Sequence, residues 1–472
     1  MPIFFPYGKD FVYSRGCYLG VLPHTANIPN GVKLAVEYAL KHDYARVVIC
    51  TSTLAQGVNI PIKYLCVTGL RSNRDFMKTR NFQNLIGRTA RSGVYTEGSI
   101  IITDTKIFDD KNTRSGRYQW EKYISMFDEN AAEPCGSTIL SIVKNIAIDY
   151  RTEIKGAKFI DWILTHFDNP KCFETFAVDC QEKYFEYRPE QSQSNIFEEV
   201  MFRKTVFESI ENYLCLAFIE CEETERESEG LQICRDSLAY SLADEGEKQL
   251  LEKVFSAIVL KLSSYSSEKL KNYSYAMSGV DMSSKIEAWI LENKLSTAFI
   301  TEDQLLDLIV DFYMNTHVIK KCSAHFKEIC RLWISGIVPA DIEAFTGCNM
   351  LDIDDVCNKN ISYDLNFFIG NICDLITVET EDESAINLYN TLNIIQKKIK
   401  YGVSTQTAIS ICEKVFNDRI IAAKIVEVLG NNQIQADDII QVLEFHGDKI
   451  RDILSRYPEY FMDRFNFVVS QS

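Results

Sequence analysis

Nothing in this chain approaches the roughly eighteen consecutive apolar residues needed to cross a bilayer. A membrane helix is therefore not expected. The N-terminus, Met1-Pro2-Ile3-Phe4-Phe5-Pro6-Tyr7-Gly8-Lys9, lacks the charged start, apolar centre and small-residue cleavage site of a secretory leader. Fifteen cysteines are present, yet no two form a Cys-x-x-Cys pair. That spacing argues against a disulfide framework and suits reduced thiols, which places the chain in the cytoplasm. Proline is scarce beyond residue 115, where it occurs at 134, 170, 189, 339 and 458 only, leaving two long stretches that nothing obliges to break. No Gly-x-Ser-x-Gly nucleophile turn and no His-Glu-x-x-His metal helix occurs.

What is present is an ordinary globular composition, 46% apolar and 25% charged over 472 residues, enough for roughly two to four domains. The net charge of −16 argues against bulk electrostatic coating of nucleic acid, but it conceals an asymmetry. Residues 1–120 hold 16 Lys/Arg and 8 Asp/Glu, a local +8 that leaves −24 for the remainder. Clustered positive charge is the footprint of a phosphate-binding surface, although a small domain can carry such an excess by chance.

From 18 to 104, short β-branched runs alternate with helix-like stretches. Tyr18–Leu22, Arg46–Cys50, Tyr64–Thr68 and Ser99–Thr103 read as strands buried on both faces, and Gly31–His42 as a helix. The fold class expected is an α/β parallel-sheet lobe at the N-terminus, possibly incomplete, followed by mostly α-helical domains. The divisions expected are 1–115 for the lobe, 116–235 for a mixed or helical connector, possibly winged-helix-like, and 236–472 for a helical C-terminal region. Leu250, Leu251, Val254, Phe255, Ile258, Val259 and Leu262 repeat at helical spacing, and Thr301-x-x-Gln304 opens another helix as a capping box would. The acidic string Glu220–Gly230 reads as a solvated linker, and Glu379–Glu383 as a shorter one.

Two strings carry chemistry. Gln83-Asn84-Leu85-Ile86-Gly87-Arg88-Thr89-Ala90-Arg91 sets two arginines three residues apart, where on a helix they share a face and can grip a polyphosphate together. Gly87 permits close backbone approach, and Gln83, one turn earlier, can orient a phosphate or an attacking water. About thirty residues upstream, Thr51-Ser52-Thr53-Leu54-Ala55-Gln56-Gly57-Val58-Asn59-Ile60-Pro61 follows a strand. The hydroxyls of Thr51, Ser52 and Thr53 stand where a helix would begin and can hold a nucleic-acid phosphate, Gly57 offers close approach and Asn59 a bridging amide. The plain alternatives are a solvated helix face for the arginines and an N-cap for Thr-Ser-Thr.

These strings resemble the sixth and fifth motifs of superfamily two helicases, specifically the second RecA-like lobe of the Ski-type group. The resemblance implies that Arg88 and Arg91 are arginine fingers, that Gln83 and Gly57 face the nucleotide, and that Ser52 and Thr53 touch the nucleic-acid backbone. His24-Thr25-Ala26-Asn27-Ile28-Pro29 resembles the group's histidine loop, in which His24 would contact nucleic acid; a structural histidine is the alternative. The basic stretch Arg71–Arg80 could follow a phosphate backbone or be a solvated loop. Further on, Leu332-Trp333-Ile334-Ser335-Gly336 and Lys398–Val403 resemble the helical region after the lobes, where a ratchet helix and a hairpin domain grip the displaced strand. Phe416-Asn417-Asp418-Arg419 replaces the glycine-rich turn of that hairpin.

A first lobe would supply Gly-x-x-x-x-Gly-Lys-Thr/Ser to cradle phosphates and Asp-Glu-x-His/Asp to hold magnesium, and neither string occurs. Three readings follow. The chain is the C-terminal part of an ATP-dependent DNA or RNA helicase whose first lobe, with its magnesium, is on another chain or lost from this one; or it is a non-catalytic helicase-like interaction module or truncated inactive fragment; or it is a different enzyme. For the last, Cys322, His325 and Cys330 could ligate zinc, but a buried Cys/His face is the expectation, so no metal is assigned.

Overall fold

The computed structural model describes residues 8–25, 28–51, 62–69, 71–72, 75–89, 97–114, 116–133, 135–147, 152–187, 196–295, 300–376, 383–430 and 432–471. They are mostly helical and divide into two compact units. One comprises Met1–Pro134, Glu302–Phe367 and Ile394–Ser472, the other Cys135–Thr301 and Phe368–Asn393.

In the first unit, β1 (Val21–His24) pairs in parallel with β2 (Val47–Cys50), joined by α2 (Asn30–Lys41). A second parallel pair joins β3 (Tyr64–Val67) to β6 (Ser99–Ile102), and a short antiparallel pair joins β4 (Arg71–Ser72) to β5 (Asp75–Phe76). These are separate two-stranded ladders, so the expected RecA-like lobe is not seen whole among the described residues. The first strand also differs from expectation. Val12–Tyr18 forms helix α1, and Tyr18 and Leu19 are 79% and 77% exposed at its end, so the ladder starts only at Val21. Nor are all the strands buried on both faces. Leu65 and Val67 pack inward with Phe82, Leu85, Ile107 and Met126, while Val47, Ile49, Tyr64, Cys66 and Ile101 stay exposed on the alternate positions. Among the described residues, β3 buries one face while its alternate positions stay exposed, whereas β1 buries both Pro23 and His24.

Helix α2 explains its broad apolar stripe by packing in two directions. Val32 and Val36 join Cys17 and Ile28 against the strands, whereas Ala35 enters the core of the C-terminal helices. Helix α3 (Thr79–Ile86) and helix α4 (Gly116–Ser125) complete this part.

The second unit is helical around α5 (Ile196–Ala217). The helix expected over 250–262 is α7 (Glu245–Leu262), opened by a capping box between Asp244 and Glu247. The acidic string is not a linker throughout: α6 (Arg226–Asp236) begins inside it. Arg226 is 1% exposed and donates to Tyr265 O at 3.0 Å and Ser267 Oγ at 2.8 Å. Gly230 lies so close to α7 that a Cβ there would meet Val259 Cγ2 at 2.4 Å. The carboxylates face water as a linker's would, but one buried cation and one glycine turn the segment into packed helix.

The remainder of the first unit contains α8 (Glu302–Thr316), which starts directly after Thr301, then α9 (Phe326–Ile334), α10 (Pro339–Thr346) and a π-helix over Val356–Leu365. Helix α11 (Glu383–Tyr401) ends in this unit, followed by α12 (Arg419–Leu429) and α13 (Glu459–Val469). The two blocks resembling the helical region meet here: Trp333 Nε1 donates to Ile399 O at 2.8 Å. Gly402 adopts φ +64°, and a Cβ on it would lie 2.4 Å from the Trp333 ring, so both its backbone and its contact require glycine. Arg419 covers the ring at 3.8 Å from its centroid. Trp333, 6% exposed, is therefore enclosed and offers no open face to a base.

Candidate functional site

The motif strings assemble at the strand ends through main-chain hydrogen bonds. β1 ends at His24 and β2 at Cys50, and Thr51 N donates to His24 O at 3.4 Å. Immediately beyond the Thr51–Pro61 string, Ile62 N donates to Arg88 O at 3.2 Å, and Ile62 forms a parallel bridge with Thr89. The first string is thus tied at one end to the histidine loop and just past its other end to the arginine motif. Ser52, Thr53, Gly57, Asn59 and Arg91 lie outside the described residues.

Helix α3 presents Gln83 and leads into Arg88. It buries Thr79, Phe82 and Leu85 at helical spacing, and Phe82, fully buried, meets Phe127 edge-on at 5.1 Å. Full burial of such a ring is worth about 2–3 kcal/mol. The helix ends at Ile86, so Arg88 lies beyond it, in the turn that follows, and the shared helical face expected for Arg88 and Arg91 falls partly outside the described residues. Gly87 is its C-cap with φ −63°, and Thr89 takes up the Ile86 carbonyl through both N, at 2.9 Å, and Oγ1, at 2.6 Å. A β-branched residue whose hydroxyl competes for the last carbonyl closes the turn. Arg88 stands in that turn with its side chain partly buried, and Gly87 is exposed.

Gln83 Nε2 donates to Asp128 O at 2.8 Å, joining α3 to the segment after α4. His24 is 4% exposed, with Nε2 3.1 Å from Glu37 Oε1 on α2. Its ring holds the histidine loop to α2 and is not presented to solvent. Thr51 is exposed at the strand end.

Sequence reasoning missed Glu133. Its Oε1 and Oε2 accept from Thr79 N at 2.7 Å and Arg80 N at 3.1 Å, capping α3 from 54 residues away, and its carbonyl accepts from Arg80 Nη2 at 2.7 Å. Burial opposes the charge on Glu133, but the hydrogen bonds from these backbone N–H groups outweigh it and hold the carboxyl down at about 2. Arg80 of the basic stretch is therefore occupied within the protein. No signal in the sequence marks a cap so distant. For zinc, His325 Nδ1 lies 3.3 Å from Glu328 Oε2 and Cys330 is fully buried, and no group of three His, Cys, Asp or Glu side chains converges among the described residues. No described helix is long and apolar enough to cross a membrane.

Set beside known proteins, the chain matches no family model. It is 23% identical to Hachiman protein HamB of Bacillus cereus over 464 residues, 90% of this chain and 37% of that protein. It is 30% identical over 136 residues to Helicase POLQ-like of Drosophila melanogaster, 28% of this chain and 13% of the relative. DNA polymerase theta of Drosophila melanogaster is 29% identical over 112 residues, 24% of this chain and 5% of that protein. The chain spans little more than a third of the length of HamB and far less of the other two. These likenesses support a helicase-related chain, along most of its length through HamB and along a shorter segment through proteins named as helicases.

Proposed function

We propose that this chain supplies the C-terminal part of an ATP-dependent nucleic-acid helicase, with the Ski-type arrangement of motifs. The observation that carries the reading is the pair of main-chain links, Thr51 N to His24 O at the C-terminal ends of β1 and β2 and Ile62 N to Arg88 O just before β3, which tie the histidine loop to the start of the Thr51–Pro61 string and the arginine motif to the residue that follows it. In this reading Arg88 and Arg91 are arginine fingers, Gln83, Gly57, Asn59 and Gly87 border the nucleotide, and Thr51, Ser52 and Thr53 meet the DNA or RNA backbone. His24 acts by fixing its loop through Glu37. ATP bound there supplies a terminal phosphoryl group for transfer to water, and the guanidinium groups stabilise the charge that spreads over its oxygens. The residues of this chain fit half of such a site. They offer cations but neither a phosphate loop nor a magnesium carboxylate pair, so both would fall to a first lobe on another chain or lost from this one. The lobe reading concerns 1–115, with a connector over 116–235 and a helical region from 236 onward.

A second reading, a non-catalytic helicase-like interaction module or inactive fragment, is favoured by Gln83, whose amide nitrogen is already engaged by Asp128 O. One experiment separates the two. The chain is combined with a polypeptide carrying the phosphate loop and Asp-Glu-x-His box, and ATP turnover is measured with and without single-stranded nucleic acid. The helicase reading expects stimulated turnover that Arg88→Ala lowers by roughly 10²–10³-fold while nucleic-acid affinity stays near normal. Turnover unaffected by Arg88→Ala removes the finger assignment, and no turnover with any first-lobe polypeptide favours the module.

A further inference from the structure

Arg419, which opens α12, carries an unbalanced charge. Its Nη2 donates to Ile337 O at 2.8 Å and Trp333 O at 3.3 Å, both neutral acceptors. Its Nε and Nη1 are buried and meet no acceptor. The buried Arg203 and Arg226 of the other unit each have a carboxylate nearby, Glu199 at 3.2 Å and Glu223 at 3.9 Å. Arg419 has none in ion-pair range among the described residues. Burial accordingly pushes its guanidinium down to about 10. Buried guanidinium N–H groups without acceptors are costly, and the Trp333 ring and the more distant Asp418 charge offset that cost only in part.

Beside it lies a cavity of about 220 Å³, enough for a phosphate group and part of what it is attached to. Its lining includes Arg419, Lys400 and the neutral hydrogen-bonding side chains of Asn30, Asn358, Ser362 and Asn417. The first turn of the twelve-residue helix α2 borders the same space through Asn30; Pro29 provides no side-chain cap for it, and the Asp418 carboxylate packs against Gly31 in that turn. Two carboxylates also border the cavity, and both are engaged. Asp418 Oδ1 accepts from Ile420 N and Ile421 N at 3.0 Å, and Asp354 Oδ1 accepts from Asn358 Nδ2 at 2.9 Å. Asn358 Nδ2 and Ser362 Oγ are engaged by Asp354 and Cys357 O, which leaves Arg419, Lys400, Asn30 and Asn417 as the groups a ligand would meet. A phosphate, with more oxygens and more charge than a carboxylate, suits them better.

We propose that this cavity is a phosphate site, taking inorganic phosphate or a phosphomonoester, with the partly buried Arg419 as its inner cation and the exposed Lys400 as the outer one. The site lies apart from the arginine and Thr51–Pro61 strings, and its test does not require that the chain hydrolyse ATP. The test is thermal denaturation of the full 472-residue chain in rising inorganic phosphate, with chloride as the control at matched ionic strength. The midpoint of the wild type should climb with the logarithm of phosphate concentration above the dissociation constant. Arg419→Gln should abolish the climb. Lys400→Gln, an exposed change that leaves the core intact, should raise the half-saturating concentration by roughly tenfold, the loss of one charge-assisted contact. Competition then distinguishes the sources: displacement by adenosine monophosphate assigns a free nucleotide, and preference for a 5′-phosphorylated over a 5′-hydroxyl oligonucleotide assigns a strand end. No climb in the wild type overturns the site, and so does a climb equal in wild type and Lys400→Gln, which decides the matter even where Arg419→Gln does not fold.

Discussion

The N-terminal motif region and the helical second unit handle their interiors in opposite ways. In the motif region, the strand core among the described residues buries Leu65, Val67, Phe82, Leu85, Ile107 and Met126, with Ile100, Ile102 and Trp120 partly buried against it, while alternate strand residues such as Ile49 and Tyr64 remain 66% and 61% exposed. The second unit takes charge into its centre and matches it. Lys261 Nζ lies 2.7 Å from Glu211 Oε1 and 3.0 Å from Asp281 Oδ2, and Arg203 donates to Ile142 O, Lys144 O and Glu199. One region is held by a thin apolar seam with its polar motif edges open. The other is locked by buried polar networks whose every member depends on its partners. Parallel ladders normally have both faces covered, so the difference is one of completeness as well as chemistry.

The largest effect is expected where the polar lock is broken. Arg203→Met in the second unit removes a cation that reaches Ile142 O at 2.6 Å and Lys144 O at 2.8 Å and stacks 5.4 Å from the Phe159 ring. The stranded carbonyls and Glu199 should cost about 3–4 kcal/mol, measured as a lowered urea midpoint with hydrogen exchange rising across the second unit. A loss below about 1 kcal/mol would show that the unit does not rest on this network. Phe82→Ala is the matching cut in the motif region. Since its core is thin and can relax, the cost should sit near about 3 kcal/mol, the lower end of the range for such a truncation. Exchange should then rise in residues 62–89 and leave the second unit unchanged. A larger loss shared by both units would erase the contrast.

Helices and strands with regular patterns were largely legible. The periodicity over Gly31–His42 corresponds to Asn30–Lys41, and the runs at 46–50, 64–68 and 99–103 each contain the observed strand. Tyr18–Leu22 was not legible, because a short apolar run looks the same at the exposed end of a helix as in a buried strand. The end of α3 could have been read from Gly87 itself, a common helix stop, but the Arg-x-x-Arg spacing suggested that the helix continued. At the site, the described links join Thr51 to His24, both quoted from the sequence, and Arg88 to Ile62, one residue past the Thr51–Pro61 string. The burial of His24 against Glu37 and the cap from Glu133 depend on tertiary placement, and no local pattern encodes either.

The smallest effect sharpens the comparison through pH. Glu133 in the motif region has its carboxyl held near 2, well below its unfolded value of about 4.3, by the α3 backbone N–H groups. Its contribution is therefore present above that unfolded value and is lost as pH falls from there toward 2. Glu208 of the second unit is displaced the other way, to about 7, chiefly by burial, against the pull of Lys204 and with Glu211, Glu174 and Asp281 adding to the rise. It retains its proton in the folded state, so its contribution is complete below the unfolded value and fades as pH rises through 7. Urea midpoints recorded across pH should thus report two opposite slopes. Glu133→Gln should remove about 1 kcal/mol at neutral pH, the worth of a helix cap, and flatten the acid limb only. Glu208→Gln should leave the limb below about pH 4 as it is and remove the decline between about pH 4 and 7. If either substitution altered both limbs, the two regions would not titrate as separate interiors, and the motif region's stability would have to be shared with the helices rather than carried by its own seam.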